Sequence, residues 1–390
     1  MASSSPPHRH QSSLEGVIDF SAESPLEIHQ RNSARRRFYR IVEHFGAGDA
    51  TDIDNVPLQY EPPRLVRYTY EYALSDESRD NFLSAFFRAM ALPLTGQSIA
   101  NHDNNDLDDL DNLRPLFFSF ASYLLDNFFL PIKASTNRTP QCSPTFHSAG
   151  ERAVGAQGLV GTPDRLSRLR GACLIRDHHR CVITRRFDWT EANNRIRKDG
   201  DNALDDDGTL LDVPFDTLEV AHILPHALMQ VDARNNESKQ AALAVLNMLD
   251  SGVVNLINGT DIDQPHNAIT LTIFLHLLFG NFQVFFESQD LQPHTYRIQS
   301  FYRRRLMSNP ALPVTRTLYL TNDRSIDPPS PRLLAVHRAI AHILHLSAAG
   351  DYIDKLLRDM DEQGIQADGS TELDRLIRLR LGGWLDQPEY

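Results

Sequence analysis

His222 in "TLEVAHILPHALMQ" (217–230), Asn267 in "NAITL" and His276 in "LHLLFG" are the residues whose types and order could do chemistry. A neutral imidazole, with a reference pKa of about 6.5, can take a proton from water at physiological pH. A second imidazole can ligate a divalent ion, and an Asn amide can fix a loop or orient a ligand. Phosphodiester hydrolysis needs that combination. Its transition state gathers negative charge on the phosphoryl and departing oxygens, and an ion opposite the base stabilises that charge.

The elements around these residues must bring them together. "LEVAHIL" reads as a β-branched strand ending at His222. Its period of two places Glu219 on the face opposite His222, which makes Glu219 a poor ligand candidate. The stretch "NAITLTIFLHLLFGNFQVFFE" (267–287) divides into a strand, a short helix carrying His276, a stop at Gly280 and a strand with alternating aromatics. Strand, loop, strand and helix can fold as a hairpin packed on a helix, with His222, Asn267 and His276 converging. His226 is read as a loop residue, with a second metal contact as the lesser alternative. His266 and the pair His178–His179 are read as turn or solvated residues, and Asp205-Asp206-Asp207 as a solvated turn. Cys173 and Cys181 read as small buried apolar residues, since no cysteine pair has metal-site spacing.

Four blocks in order, "RCVIT" (180–184), "LEVAHILPHAL", "NAITL" and "LHLLFGNFQVFFE", resemble the HNH endonuclease family in its fungal form, over about residues 171–300. The resemblance implies a ββα-metal finger, with His222 as general base, Asn267 as the middle Asn and His276 as metal ligand. It also implies a divalent ion, Mg2+ first and then Mn2+, Ni2+ or Zn2+, and a nucleic-acid substrate, DNA ahead of RNA. Two places depart from the pattern. Ala221 stands where many members carry a further ligand, and the last block continues Leu277-Leu278-Phe279-Gly280 where many carry Arg-Leu-Phe-Asp, without the Arg that would meet phosphate or the Asp that would brace the site. The competing expectation is therefore an HNH-like module that binds metal or nucleic acid without efficient cleavage and serves as an interaction scaffold.

Composition sets the surroundings. The 390 residues are 41% hydrophobic and carry a formal net charge of −12, which speaks against a protein that coats nucleic acid non-specifically. Contact with phosphate would need a local basic patch, and the Arg cluster at 165–186 supplies the candidates Arg176, Arg180, Arg185 and Arg186. The N-terminus lacks the apolar core of a secretory signal, so an intracellular location, nuclear or cytoplasmic, is expected. The most apolar run, 116–130, contains Asp126 and Asn127 and reads as a buried helix rather than a membrane span.

The fold expected is α+β, a small ββα core with mainly helical N- and C-terminal flanks. Its divisions are a disordered terminus (1–20), a helical region (21–132), a linker rich in Ser, Thr, Pro and Gly (133–161), the HNH domain (162–300) and a helical tail (301–390). Within them, Ser24 is expected to cap the first helix, Thr162-Pro163-Asp164 to start another, and "RCVIT" to be a strand leading into a turn.

Overall fold

The computed structural model describes residues 25–47, 60–94, 110–136, 162–230, 236–289, 292–302, 312–321, 323–362 and 372–385. The expected disordered terminus lies outside them, as does the expected linker apart from residues 133–136, which are helical. Helices with three small sheets make an α+β protein. The chain divides into two units, one of residues 1–131, 232–254 and 342–378, the other of 132–231, 255–341 and 379–390.

The first unit is helical, and its segment 232–254 carries α8 (Asn236–Leu249). Helices α1 (Ile28–Gly46), α2 (Pro62–Glu71), α3 (Asp76–Ala89) and α4 (Arg114–Leu124) surround Phe38, Phe82, Phe86, Phe117 and Phe120, all at most 1% exposed. Phe38 meets the edges of Phe82 and Phe86 at 5.6 and 5.0 Å, the geometry the ring quadrupole favours. Ser75 caps α3 by accepting the Ser78 amide, as its position before the first turn leads one to expect. Helix α1 starts later than expected, at Ile28. Glu27 is its N-cap, with its amide donating to the Gln30 side chain, and Ser24 lies outside the described residues. The apolar run expected as a buried helix belongs to a 27-residue helix, Leu110–Thr136, with a π turn at Leu125–Phe129 between α4 and α5 (Leu130–Thr136). Two thirds of its apolar window is buried, so packing takes up that surface.

The second unit holds the candidate site. Helix α6 (Thr162–Arg176) leads through a turn to a two-residue parallel pair, β1 (Phe187–Asp188) and β2 (Phe215–Asp216), with α7 (Trp189–Asp199) between them. "RCVIT" is corrected from strand to turn. The Cys181 amide bonds the Arg186 carbonyl and the Arg185 amide bonds the Cys181 carbonyl, so the backbone closes on itself within six residues.

Strand β3 (Leu218–His222) then pairs antiparallel with β4 (Ala268–Thr272), in a register that sets Leu218 against Thr272 and His222 against Ala268. Helix α9 (Ile273–Gly280) follows β4 directly, capped by the Thr272 hydroxyl. One face of the pair packs on α6, where Val220 and Ala268 join Leu169 and Cys173; the other face meets α9. A three-stranded antiparallel sheet, β5 (Val284–Ser288), β6 (Thr295–Ser300) and β7 (Val314–Thr317), continues the chain. The sequence indicated only the first of these strands.

Candidate functional site

His222 is the last residue of β3 and is 6% exposed. Opposite residues of an antiparallel pair share a face, so His222 points to the α6 side with Ala268. There its Nε2 lies 3.2 Å from Oδ1 of Asp263, in the turn that precedes β4. The same Oδ1 lies 2.6 Å from Nδ1 of His226, and Oδ2 accepts from Arg165 Nε at 3.1 Å. Burial alone would raise the Asp263 carboxyl, but the hydrogen bonds from His222 and His226 outweigh it and hold the group well below the carboxylate range. Burial lowers the His222 pKa, against an opposing pull from Asp263, and His226 and His276 are close enough for their charge to lower it further. His222 is therefore neutral at pH 7. Its Nδ1 is buried with no hydrogen-bond partner among the described residues, as is Nε2 of His226.

Asn267 organises this corner. It is fully buried, and its Oδ1 accepts the Leu224 amide while Nδ2 donates to the carbonyls of Leu224 and Ile262. The backbone adds a bond from the Ile223 amide to the Asn267 carbonyl. One side chain thus ties the loop after His222 to the turn that carries Asp263.

His276 pairs with a different carboxylate. Its Nδ1 is 2.7 Å from Oε2 of Glu219, on the α9 face of the hairpin. Strand alternation sends His222 to one face and Glu219, with His276, to the other, so the expected trio is divided between the two faces of the hairpin, with His276 still within electrostatic reach of His222. Asp263 was missed, because nothing in the spacing of "GTDIDQPHN" marks it out from Asp261 two residues before. His226, favoured as a plain loop residue, faces that carboxylate.

The four arginines proposed for phosphate are occupied. Arg176 is fully buried and donates to both Asp177 oxygens and to the carbonyls of Pro265, Ala268 and Asp327, which corrects its assignment to a nucleic-acid surface. Arg180 pairs with Asp205 at 2.6 Å and Arg186 with Asp216 at 2.9 Å, while Arg185 donates to the Thr317 carbonyl and stacks on Tyr319. The Asp205–Asp207 turn is also engaged. Asp206 accepts from Arg195 and faces His179, and Asp207 faces His178.

Residues 181–287 match the family model of the HNH endonucleases. That match takes in the β3–β4 pair and α9, with His222, His226, Asp263, Asn267 and His276, so the resemblance read from the sequence holds for this segment. No curated protein and no solved structure matches the chain. His222, His226 and Asp263 could hold a metal ion, each offering one donor atom, with the three within 4.8 Å of one another. Two imidazoles and a carboxylate suit a first-row transition ion better than Mg2+, which prefers oxygen ligands.

Proposed function

We propose that residues 181–287 form the catalytic part of a metal-dependent nuclease that hydrolyses phosphodiester bonds in nucleic acid, DNA first, with His222 as general base. The observation that carries this reading is the His222–Asp263 pair at the end of β3, inside the HNH match. Asp263 accepts a hydrogen bond from Nε2–H and thereby leaves the lone pair on Nδ1. A water donating to that nitrogen loses its proton as its oxygen attacks phosphorus, and the bond from phosphorus to the departing sugar oxygen breaks. A divalent ion, when bound, neutralises charge on the phosphoryl and leaving oxygens. His276 is the ligand proposed for it. Asn267 keeps the two halves of the base's surroundings in register.

A second reading, a module that binds ion and nucleic acid without turnover, is favoured by the enclosure of His222, whose side chain is 2% exposed. Incubating supercoiled plasmid and single-stranded DNA with the protein in Mn2+, Mg2+, Ni2+ or EDTA separates the two. The nuclease reading expects ion-dependent nicking that falls about 10²- to 10⁴-fold in His222→Ala. Binding of ion and DNA with no cleavage under any ion would establish the second.

A further inference from the structure

We infer that Glu219 is a metal ligand and that, with His276, it forms an open divalent-cation site on the α9 face of the β3–β4 hairpin. This rests on the nuclease reading for its purpose, though not for its geometry.

Of the β3 residues directed toward α9, Glu219 carries a donor and Ala221 carries none. Glu219 Oε2 and His276 Nδ1 are 2.7 Å apart, the length of a hydrogen bond between an imidazole and a carboxylate. Two ligand atoms at adjacent corners of an octahedral ion, each about 2.1 Å from it, are separated by about 3.0 Å. Replacing the shared proton by an ion therefore asks the two side chains to part by only a few tenths of an ångström. Each donor is attached to a rigid element, one to the paired strand and the other to the middle of α9.

Openness then distinguishes this pair from the His222–His226–Asp263 cluster. The side chains of that cluster are between 1% and 7% exposed, which would make any ion there a closed, structural one. Glu219 and His276 keep 23% and 11% of their side-chain surface, and α9 is open to solvent at Ile273, Phe274 and Leu277. A catalytic ion needs free positions for water and a phosphate oxygen, and such ions are commonly held by few protein ligands with the substrate completing the shell. One carboxylate and one imidazole suit Mn2+ in that role. In this arrangement the base lies on one side of the strand end and the ion on the other.

The experiment uses the full chain and Mn2+ alone, followed by electron paramagnetic resonance and calorimetry. Glu219→Gln and His276→Gln, which keep size and remove a ligand, are expected to weaken Mn2+ binding at the open site at least tenfold, while His226→Gln, which reports on the closed cluster, leaves the affinity of the open site unchanged. Unchanged thermal midpoints show that the variants are folded. Any other pattern overturns the assignment, including no Mn2+ binding by the wild type, or loss in His226→Gln with Glu219→Gln unaffected. Failure of the nuclease reading looks different: Mn2+ bound through Glu219 with plasmid left intact.

Discussion

Asp263 serves two imidazoles and a guanidinium at once, and the consequence is a statement about pH. A base works in its deprotonated form, and burial lowers the His222 pKa below its ordinary value. Activity is therefore retained as pH falls from 7 through about 6.5 and is lost only as pH falls through the lowered pKa of the folded protein. Asp263→Asn removes the negative charge that favours protonation of His222, so the acid limb should move to still lower pH. The rate should fall as well, because an amide does not hold the imidazole tautomer as a carboxylate does. The measurement is kcat/KM against pH for both proteins. An acid limb at or above pH 6.5 in the wild type would remove His222 from the base role.

At the scale of elements, Asn267 shows how a motif residue can be structural. Asn267→Ala leaves the Leu224 amide and the Leu224 and Ile262 carbonyls buried without their partner. At roughly 1–3 kcal/mol for each stranded group, with partial relaxation, a loss of about 3 kcal/mol is expected in denaturant unfolding. A loss below about 0.5 kcal/mol, the scale of a typical surface substitution, would mean that the loop does not depend on this clamp. The strand ending at His222, the strand after Asn267 and the helix holding His276 were legible because hydrophobic period and turn residues fix such elements locally. The face on which each side chain ends was legible only in part. Alternation predicted that Glu219 opposes His222, but α9 packs on the Glu219 side, and that depends on tertiary packing. Arg176 misled for the same reason: its neighbours in sequence suggested a basic surface, whereas its partners at Pro265, Ala268 and Asp327 are distant in sequence.

At the scale of the whole molecule, the second unit reaches beyond residue 300 for contacts that the site elements need. His337, on α10 (Pro331–Leu346), stacks on Phe279 with ring centroids 3.9 Å apart and on Phe282 at 4.6 Å, and its Nε2 meets the Phe279 carbonyl at 3.1 Å. The Ser330 amide bonds the His266 carbonyl beside Asn267, Arg316 reaches the Ile183 carbonyl, and the Asp327 carbonyl accepts from buried Arg176. A fragment of residues 162–300 would expose Phe279 and Phe282, take a partner from Arg176 and leave β6 without β7. Losing a hydrogen bond to a charged group costs about 1.5–3 kcal/mol and exposing each buried Phe about 1.5–3 kcal/mol, together of the same order as the whole stability of a small domain. The fragment should therefore show no cooperative urea transition and weak near-ultraviolet circular dichroism, whereas the full chain shows both. A cooperative transition in the fragment, with a signal from Trp189 like that of the full chain, would mean that the hairpin and α9 hold their places without α10.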